Sequence, residues 1–115
     1  GLETDYSSEQ IEIVRAIHEQ LTHNIGQRIT IESLSKQYHM NPTTLKEVFK
    51  SVYGTSLAAH IKEHRMELAA QLLRETDLTI AQIGQRIGYK SQSRFSSAFK
   101  AYYEVLPTEY RKGRG

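Results

Sequence analysis

Apolar side chains recur every three or four positions along most of the chain, and no stretch shows the strict alternation of a half-buried strand. A period of three to four places apolar side chains on one face of an α-helix. Glycine and proline are scarce and stand mostly at the ends of these stretches, where they favour turns and helix termini. The pattern therefore predicts an all-α fold of seven helices connected by short loops.

Capping residues mark where the first helices begin. Ser7 and Gln10 have the spacing of a capping box, and the helix that follows is expected to end near residues 24–26. Its apolar stripe consists of Ile11, Val14, His18, Leu21 and Ile25. Thr30 caps a short second helix, and Asn41 followed by a proline starts a third.

The C-terminal part of the chain contains four further predicted helices. Ser56 caps a long helix that is rich in Ala and Leu and runs from residue 57 to about residue 74 without an internal breaker. Thr79 and Gln82 form another capping box at the start of the fifth helix. The last three helices are predicted at residues 80–87, 91–103 and 107–110.

Part of the sequence occurs twice. Residues 28–40 resemble residues 77–89 at an offset of 49, and beyond the turn the resemblance continues at an offset of 50. The matching pairs include Thr30 with Thr79, Leu34 with Ile83, Leu45 with Phe95, Phe49 with Phe99, and Lys50 with Lys100. We infer that one two-helix unit has been used twice, with one residue inserted in the second turn.

Each copy has the pattern of a helix-turn-helix. Its first helix carries a small residue, Ser35 or Gly84, where a second helix must approach closely. The second turn contains Gly88, which suits a left-handed backbone. In DNA-binding units of this type, the second helix lies in the major groove with its first turns against the base edges.

The charge distribution suggests an anionic partner for the C-terminal third. Residues 86–115 contain seven basic and two acidic residues, whereas residues 1–27 contain one basic and five acidic residues. No acidic residue occurs from Gly88 through Tyr103, although an ordinary solvated helix would carry Glu as well as Lys. Carboxylates on a helix that faces phosphates would be repelled by them, so nucleic acid is the first candidate partner. Composition alone leaves a basic surface tail as an equal alternative.

Several classes of function are not supported by the sequence. The chain has no cysteine, which excludes disulfides, a thiolate nucleophile and a Cys-ligated zinc site. No apolar run approaches the length of a membrane span, so we expect a cytoplasmic protein with no membrane partner. His60 and His64 lie four residues apart, but no Glu follows the first His and no third ligand is evident. With no nucleotide-binding or nucleophile motif either, we predict no metal, no cofactor and no enzymatic activity.

The segment ETDLTIAQIGQRIGYKSQSRFSSAFKAYYEVLPTEYR resembles the signature region of the AraC/XylS family of bacterial transcription regulators. ITIESLSKQYHMNPTTLKEVFKSVYGTSLAAHI is similar to the other helix-turn-helix of that family. The resemblance implies a homeodomain-like tandem, in which two helix-turn-helix units joined by a long helix bind adjacent major-groove segments of duplex DNA. The implied boundaries are 1–8 for a linker or expression remnant, 9–54 for the first unit, 55–75 for the linker helix, 76–112 for the second unit and 113–115 for a tail.

The resemblance also implies roles for individual residues. The recognition helices would be residues 42–52 and 91–103. The residues expected at base edges are Thr43, Thr44, Lys46, Glu47, Gln92, Ser93, Arg94 and Ser97. Those expected at phosphates are Thr30, Lys50, Thr79, Lys90 and Lys100. By pattern, Tyr53, Tyr102 and Tyr103 are interpreted as packing residues rather than base-stacking residues.

Some positions depart from the family pattern, and other partners stay open. Glycine is common in the family at His39 and Glu104, arginine is common at Glu47 and Ser97, and Ser or Thr is usual at Leu106. The resemblance implies RNA polymerase as a further partner, and a ligand-sensing or dimerisation domain on the same parent chain. The alternative function is a helical protein-interaction module that docks an acidic partner surface.

Overall fold

A computed structural model describes residues 6–23 and 28–113 of the chain. The described residues form seven α-helices and no strand, as the sequence pattern predicted. They are α1 (Ser8–His23), α2 (Ile31–Tyr38), α3 (Pro42–Tyr53), α4 (Leu57–Glu75), α5 (Ile80–Arg86), α6 (Gln92–Tyr103) and α7 (Pro107–Lys112). Ile25 and the expected end of the first helix at residues 24–26 lie outside the described residues.

The chain divides into two compact units, Gly1–His64 and Arg65–Gly115. The boundary falls inside α4, whose 19 residues correspond to a length of about 28 Å at 1.5 Å per residue. The first half of this helix therefore belongs to one unit and the second half to the other.

The first unit has a core formed by α1, α2, α3 and the start of α4. Its fully buried side chains include Val14, Ile17, Leu34, Leu45, Val48 and Phe49, each with 0% exposure. From α4, Leu57 and Ile61 join the same cluster. Burying a side chain of this size stabilises the fold by about 1.5–3 kcal/mol, so the apolar faces of these helices hold the unit together.

The second unit is centred on two phenylalanines of α6. Phe95 and Phe99 are fully buried, and their rings meet edge to face with centroids 5.8 Å apart. Phe99 also contacts Tyr103 and Tyr110 at centroid distances of 4.7 and 5.4 Å. The remaining fully buried aliphatic side chains of this unit are Met66, Ala69, Leu73, Ile83 and Ile87.

Threonine side chains cap the starts of α2 and α5. Thr30 Oγ1 accepts the N–H of Ser33, and Thr79 Oγ1 accepts the N–H of Gln82, both at 3.0 Å. These bonds satisfy backbone donors that the first turn of a helix leaves without a partner. In both cases the side chain at the third helical position accepts a bond from the N–H of the cap residue. This confirms the predicted capping box of Thr79 and Gln82 and adds a second one, between Thr30 and Ser33, that was not predicted.

Two left-handed residues end the helices of each unit. The turn after α2 contains His39 at φ 53°, and the turn after α5 contains Gly88 at φ 104°. The ends of α3 and α6 are capped by Gly54 at φ 77° and Glu104 at φ 67°. The prediction of a left-handed glycine at residue 88 is confirmed, and the two non-glycine residues adopt the same backbone conformation at positions where the family commonly has glycine.

Candidate nucleic-acid interface

The structure repeats the two-helix unit that the sequence repeats. Helices α3 and α6 each contain 12 residues and are displaced by 50 positions at both ends. Helices α2 and α5 begin 49 positions apart, after Thr30 and Thr79. The inserted residue is Lys90, which lies exposed in the turn between α5 and α6.

The turn of each unit is held at the small residue that the sequence singled out. In the first unit, the N–H of Met40 donates to Ser35 O at 3.2 Å, and Ser35 Oγ donates back to Met40 O at 2.6 Å. In the second unit, the N–H of Tyr89 donates to Gly84 O at 2.9 Å. A Cβ atom at Gly84 would lie only 3.0 Å from Phe95 Cβ, so the expected close approach of the two helices is confirmed.

Four polar side chains of α3 share one outer face. Thr43, Lys46, Glu47 and Lys50 are all exposed, and their spacing of three and four residues places them along one side of the helix. The opposite side carries the buried residues Leu45, Val48 and Phe49.

Thr44 is less exposed than the other residues of α3 that were predicted at base edges. It is half-buried, and its N–H lies 3.4 Å from Asn41 Oδ1, which also accepts the N–H of Thr43 at 2.8 Å. Its side chain lines a cavity of about 510 Å³ together with Glu9 of α1 and His39 of the turn.

The corresponding face of α6 is polar and free of carboxylates. Gln92, Ser93, Arg94, Ser97 and Lys100 are all exposed. At the offset of 50, Ser93, Ser97 and Lys100 correspond to Thr43, Glu47 and Lys50 of α3. The two units therefore present equivalent surfaces with different chemistry.

The residues predicted at phosphates lie at the ends of the helices. Thr30 is half-buried and Thr79 is exposed, and both side chains serve as helix caps. Lys50 and Lys100 are exposed in the last turns of α3 and α6, where a cation also interacts favourably with the helix dipole. Lys90 projects from the turn that precedes α6.

One cation of the basic C-terminal third has an internal role that the sequence did not reveal. The guanidinium of Arg111 donates to Leu73 O, Thr76 O and Leu78 O, at and beyond the end of α4. The planar fork of the arginine guanidinium donates to several carbonyls at once. The net charge of residues 86–115 therefore overstates the charge available to a partner.

Tyr53 and Tyr103 pack against other rings, as the sequence pattern predicted, whereas Tyr102 is exposed. Tyr53 stacks on His18 with ring centroids 4.3 Å apart. The pKa of Tyr103 is raised to about 12, chiefly by burial and in smaller part by Tyr102, Glu67 and Tyr110, while Arg74 lowers it. Tyr102 is 41% exposed and meets Tyr103 edge to face at 4.9 Å.

The two histidines of α4 have structural contacts. His64 is only 2% exposed, and its Nδ1 lies 3.1 Å from Leu21 O. His60 Nδ1 lies 3.1 Å from Thr55 Oγ1, and its ring meets Phe49 edge to face. Within residues 6–23 and 28–113 there is no group of three or more side chains arranged to hold a metal ion. Nor does any helix in these ranges have the length and apolar character needed to cross a membrane.

The paired two-helix units, each with a buried face and a polar outer face, define a tandem helix-turn-helix domain. A family profile described as a helix-turn-helix domain matches residues 34–113. The transcriptional regulator AlkR of Acinetobacter baylyi is 39% identical over 83 residues, which are 72% of this chain and 27% of AlkR. The regulatory protein SoxS of Salmonella typhimurium is 30% identical over 100 residues, which are 87% of this chain and 94% of SoxS. The chain belongs to the AraC/XylS family and is a DNA-binding domain of a transcription regulator.

A solved structure has the same fold. The C-terminal domain of AraT, a response regulator from Geobacillus stearothermophilus, is 35% identical and superposes with a TM-score of 0.71. The match covers 88% of this chain and 84% of the AraT domain. The chain spans less than a third of AlkR, so the activity of a whole regulator is a separate question from that of this domain.

Proposed function

We propose that α3 and α6 are recognition helices that read two adjacent major-groove segments of one duplex, which the chain binds as a monomer and without symmetry. The observation that carries this proposal is the recurrence of one exposed polar face on two 12-residue helices whose opposite faces are buried. A helix with one anchored face presents the other rigidly, and the major groove is wide enough to admit it.

The outer face of each helix supplies most of the base-reading groups. On α6 these are Gln92, Ser93, Arg94 and Ser97, and on α3 they are Thr43, Lys46 and Glu47. Half-buried Thr44 is the remaining predicted base contact of α3. An amide pairs well with adenine, a guanidinium with guanine, and a carboxylate accepts a hydrogen bond from the amino group of cytosine. Reading therefore depends on side chains that take no part in the cores.

Phosphate contacts position the two helices in the grooves. Lys50, Lys90 and Lys100 place positive charge at the ends of the recognition helices. The first turns of α2 and α5, after Thr30 and Thr79, are proposed to donate backbone N–H groups to phosphates. Because each phosphate contact releases counterions, affinity falls steeply with salt.

The proposal extends to the whole regulator. We infer that the domain works in the cytoplasm as part of a longer, non-enzymatic regulator that carries a ligand-sensing or dimerisation domain. RNA polymerase is then a second partner, reached once the domain is bound near a promoter. These inferences follow from the family to which the chain belongs, not from any contact within this domain.

The test is selection of bound sequences from a random duplex library, followed by fluorescence anisotropy of the selected site. Two half-elements about one helical turn apart are expected, because successive major-groove segments on one face are separated by roughly 34 Å. Arg94→Ala and Gln92→Ala are each expected to weaken specific binding by about 1–3 kcal/mol and to relax base preference at one position. Lys112→Ala removes an exposed cation of α7 and is the matched control for Arg94. Unchanged affinity and preference in both α6 variants would refute the assignment of that face.

A second candidate function is docking of another protein, and one observation favours it. Tyr102, Val105 and Leu106 are exposed at 41%, 36% and 37%, close together at the end of α6. If docking were the main activity, the library would yield no enriched site, and loss of Gln92 and Arg94 together would have no effect on function.

A further inference from the structure

The two units differ in charge. Residues 1–64 contain six basic and eight acidic residues, whereas residues 65–115 contain nine basic and five acidic residues. Sequence-independent attraction to DNA depends on cations near phosphates. The second unit therefore has a surplus of the charge that this attraction requires, and the first unit has a deficit.

The outer faces of the recognition helices show the same contrast at one position. Glu47 is exposed in the middle of the outer face of α3, and its counterpart on α6 is Ser97. The ion pairs among the described residues join Arg15 with Glu12 and His23 with Glu19, and neither involves Glu47. Neither Lys46 nor Lys50 of α3 forms an ion pair with this carboxylate among the described residues.

A carboxylate on a surface that enters the groove weakens binding to most sequences. The electrostatic repulsion between a carboxylate and one phosphate about 7 Å away in water is roughly RT. This energy corresponds to an affinity about threefold lower. The carboxylate gains a hydrogen bond only where a base edge offers a donor, and in the major groove the amino group of cytosine is a donor that pairs well with Glu. A side chain of this type lowers binding to many sequences and favours a few.

We propose that Glu47 is a specificity-determining residue, which restricts the first unit to sites that present a cytosine amino group. The second unit then supplies most of the sequence-independent attraction to DNA. The proposal rests on the proposed function, because it requires α3 to lie in the major groove. It adds a division of roles between the two units. The first unit contributes discrimination and little affinity, and the second contributes affinity.

The experiment uses the whole 115-residue chain. Glu47→Gln removes the charge and retains the shape of the side chain. Glu63→Gln is the matched control, since it removes an equally exposed carboxylate from α4 of the same unit. Anisotropy is measured on the site selected by the wild-type chain, on duplexes with each base substituted in the half-element of the first unit, and on a random duplex at several salt concentrations.

The expected result has two parts. Glu47→Gln binds the random duplex about threefold more tightly, because a repelled charge is lost. Its preference for cytosine at one position falls by about fivefold or more, which is the lower end of the discrimination that one good base contact provides. Glu63→Gln changes neither quantity. The reciprocal variant, Ser97→Glu, is expected to weaken binding to the random duplex, because it places a carboxylate at the equivalent position of α6.

The outcomes separate the two proposals. If the wild-type chain enriches no site, the proposed function fails, and the role of Glu47 fails with it. If the wild type selects a site but Glu47→Ala, which also removes the hydrogen-bond acceptor that Gln retains, keeps the same cytosine preference, only the role of Glu47 is overturned. A gain in affinity for the random duplex without loss of preference also overturns it, because the carboxylate would then repel phosphates without reading a base.

Discussion

Arg111 connects α7 to the end of α4 through hydrogen bonds that no lysine can reproduce. Its Nε and Nη2 atoms lie 3.2 Å from Leu73 O and Thr76 O, and Nη1 donates to Leu78 O. Replacement by lysine keeps the positive charge but removes the planar fork, so one or two of these carbonyls lose their donor. Arg111→Lys therefore tests geometry separately from charge.

The cost of Arg111→Lys follows from these contacts. A hydrogen bond to a charged group contributes about 1.5–3 kcal/mol, and the site is only half-buried, so water compensates part of the loss. If lysine restores one of the three bonds, we expect the free energy of unfolding to fall by about 2 kcal/mol. Arg111→Met removes all three bonds, and a loss of about 3 kcal/mol is expected.

Urea denaturation followed by circular dichroism measures this loss, and the linear dependence on urea gives the free energy of unfolding. Lys112→Met is the control, because it changes the formal charge by the same amount at an exposed neighbouring position, where substitutions usually stay within about 0.5 kcal/mol. The reasoning is refuted if Arg111→Lys is as stable as the wild type, or if Lys112→Met loses as much stability as Arg111→Met.

Two further predictions concern the second unit. Gly84→Ala should lower the free energy of unfolding by about 1–3 kcal/mol, because the new Cβ would lie 3.0 Å from Phe95 Cβ. This overpacking outweighs the better helix propensity of alanine. A urea midpoint equal to or above that of the wild type contradicts the prediction. Burial raises the pKa of Tyr103 from 10.0 to about 12, so the unfolded chain releases the proton first and stability falls as the pH rises from about 10 through 12. Tyr103→Phe should reduce this loss of stability between about pH 10 and 12. It should also remove the step at the highest pH from a titration of tyrosinate absorbance. An unchanged titration would show that Tyr103 does not titrate in this range.

Local chemistry made the fold largely predictable from the sequence. The hydroxyls of Thr30 and Thr79 bond to backbone groups three residues away, so their role needs no knowledge of the rest of the fold. The offset of 49 and then 50 between the two copies appears directly in the helix boundaries. Apolar periodicity also identified buried positions, since Val14 and Leu21 of the predicted stripe of α1 are buried.

The long-range contacts were not predictable in the same way. The sequence placed Arg111 among the cations of a basic end, because the carbonyls that it bonds lie 33 to 38 residues earlier in the chain. The sequence assigned no role to His64, because a metal site with His60 was rejected, whereas the structure places it in the core with Nδ1 near Leu21 O. Both side chains have roles fixed by tertiary neighbours that no local pattern indicates. The base-reading and phosphate roles stay predictions, since they concern contacts with DNA.

The exposure of the two outer faces has a consequence for how such a domain diverges. Ser93 and Ser97 on α6, like Thr43 and Glu47 on α3, project into solvent and contribute nothing to either core. Substitutions at exposed helix positions usually change stability by less than about 0.5 kcal/mol. Under the proposed base-reading roles, single substitutions at these positions change the preferred operator and leave the protein folded. The two recognition helices already carry different side chains at equivalent exposed positions, such as Glu47 and Ser97.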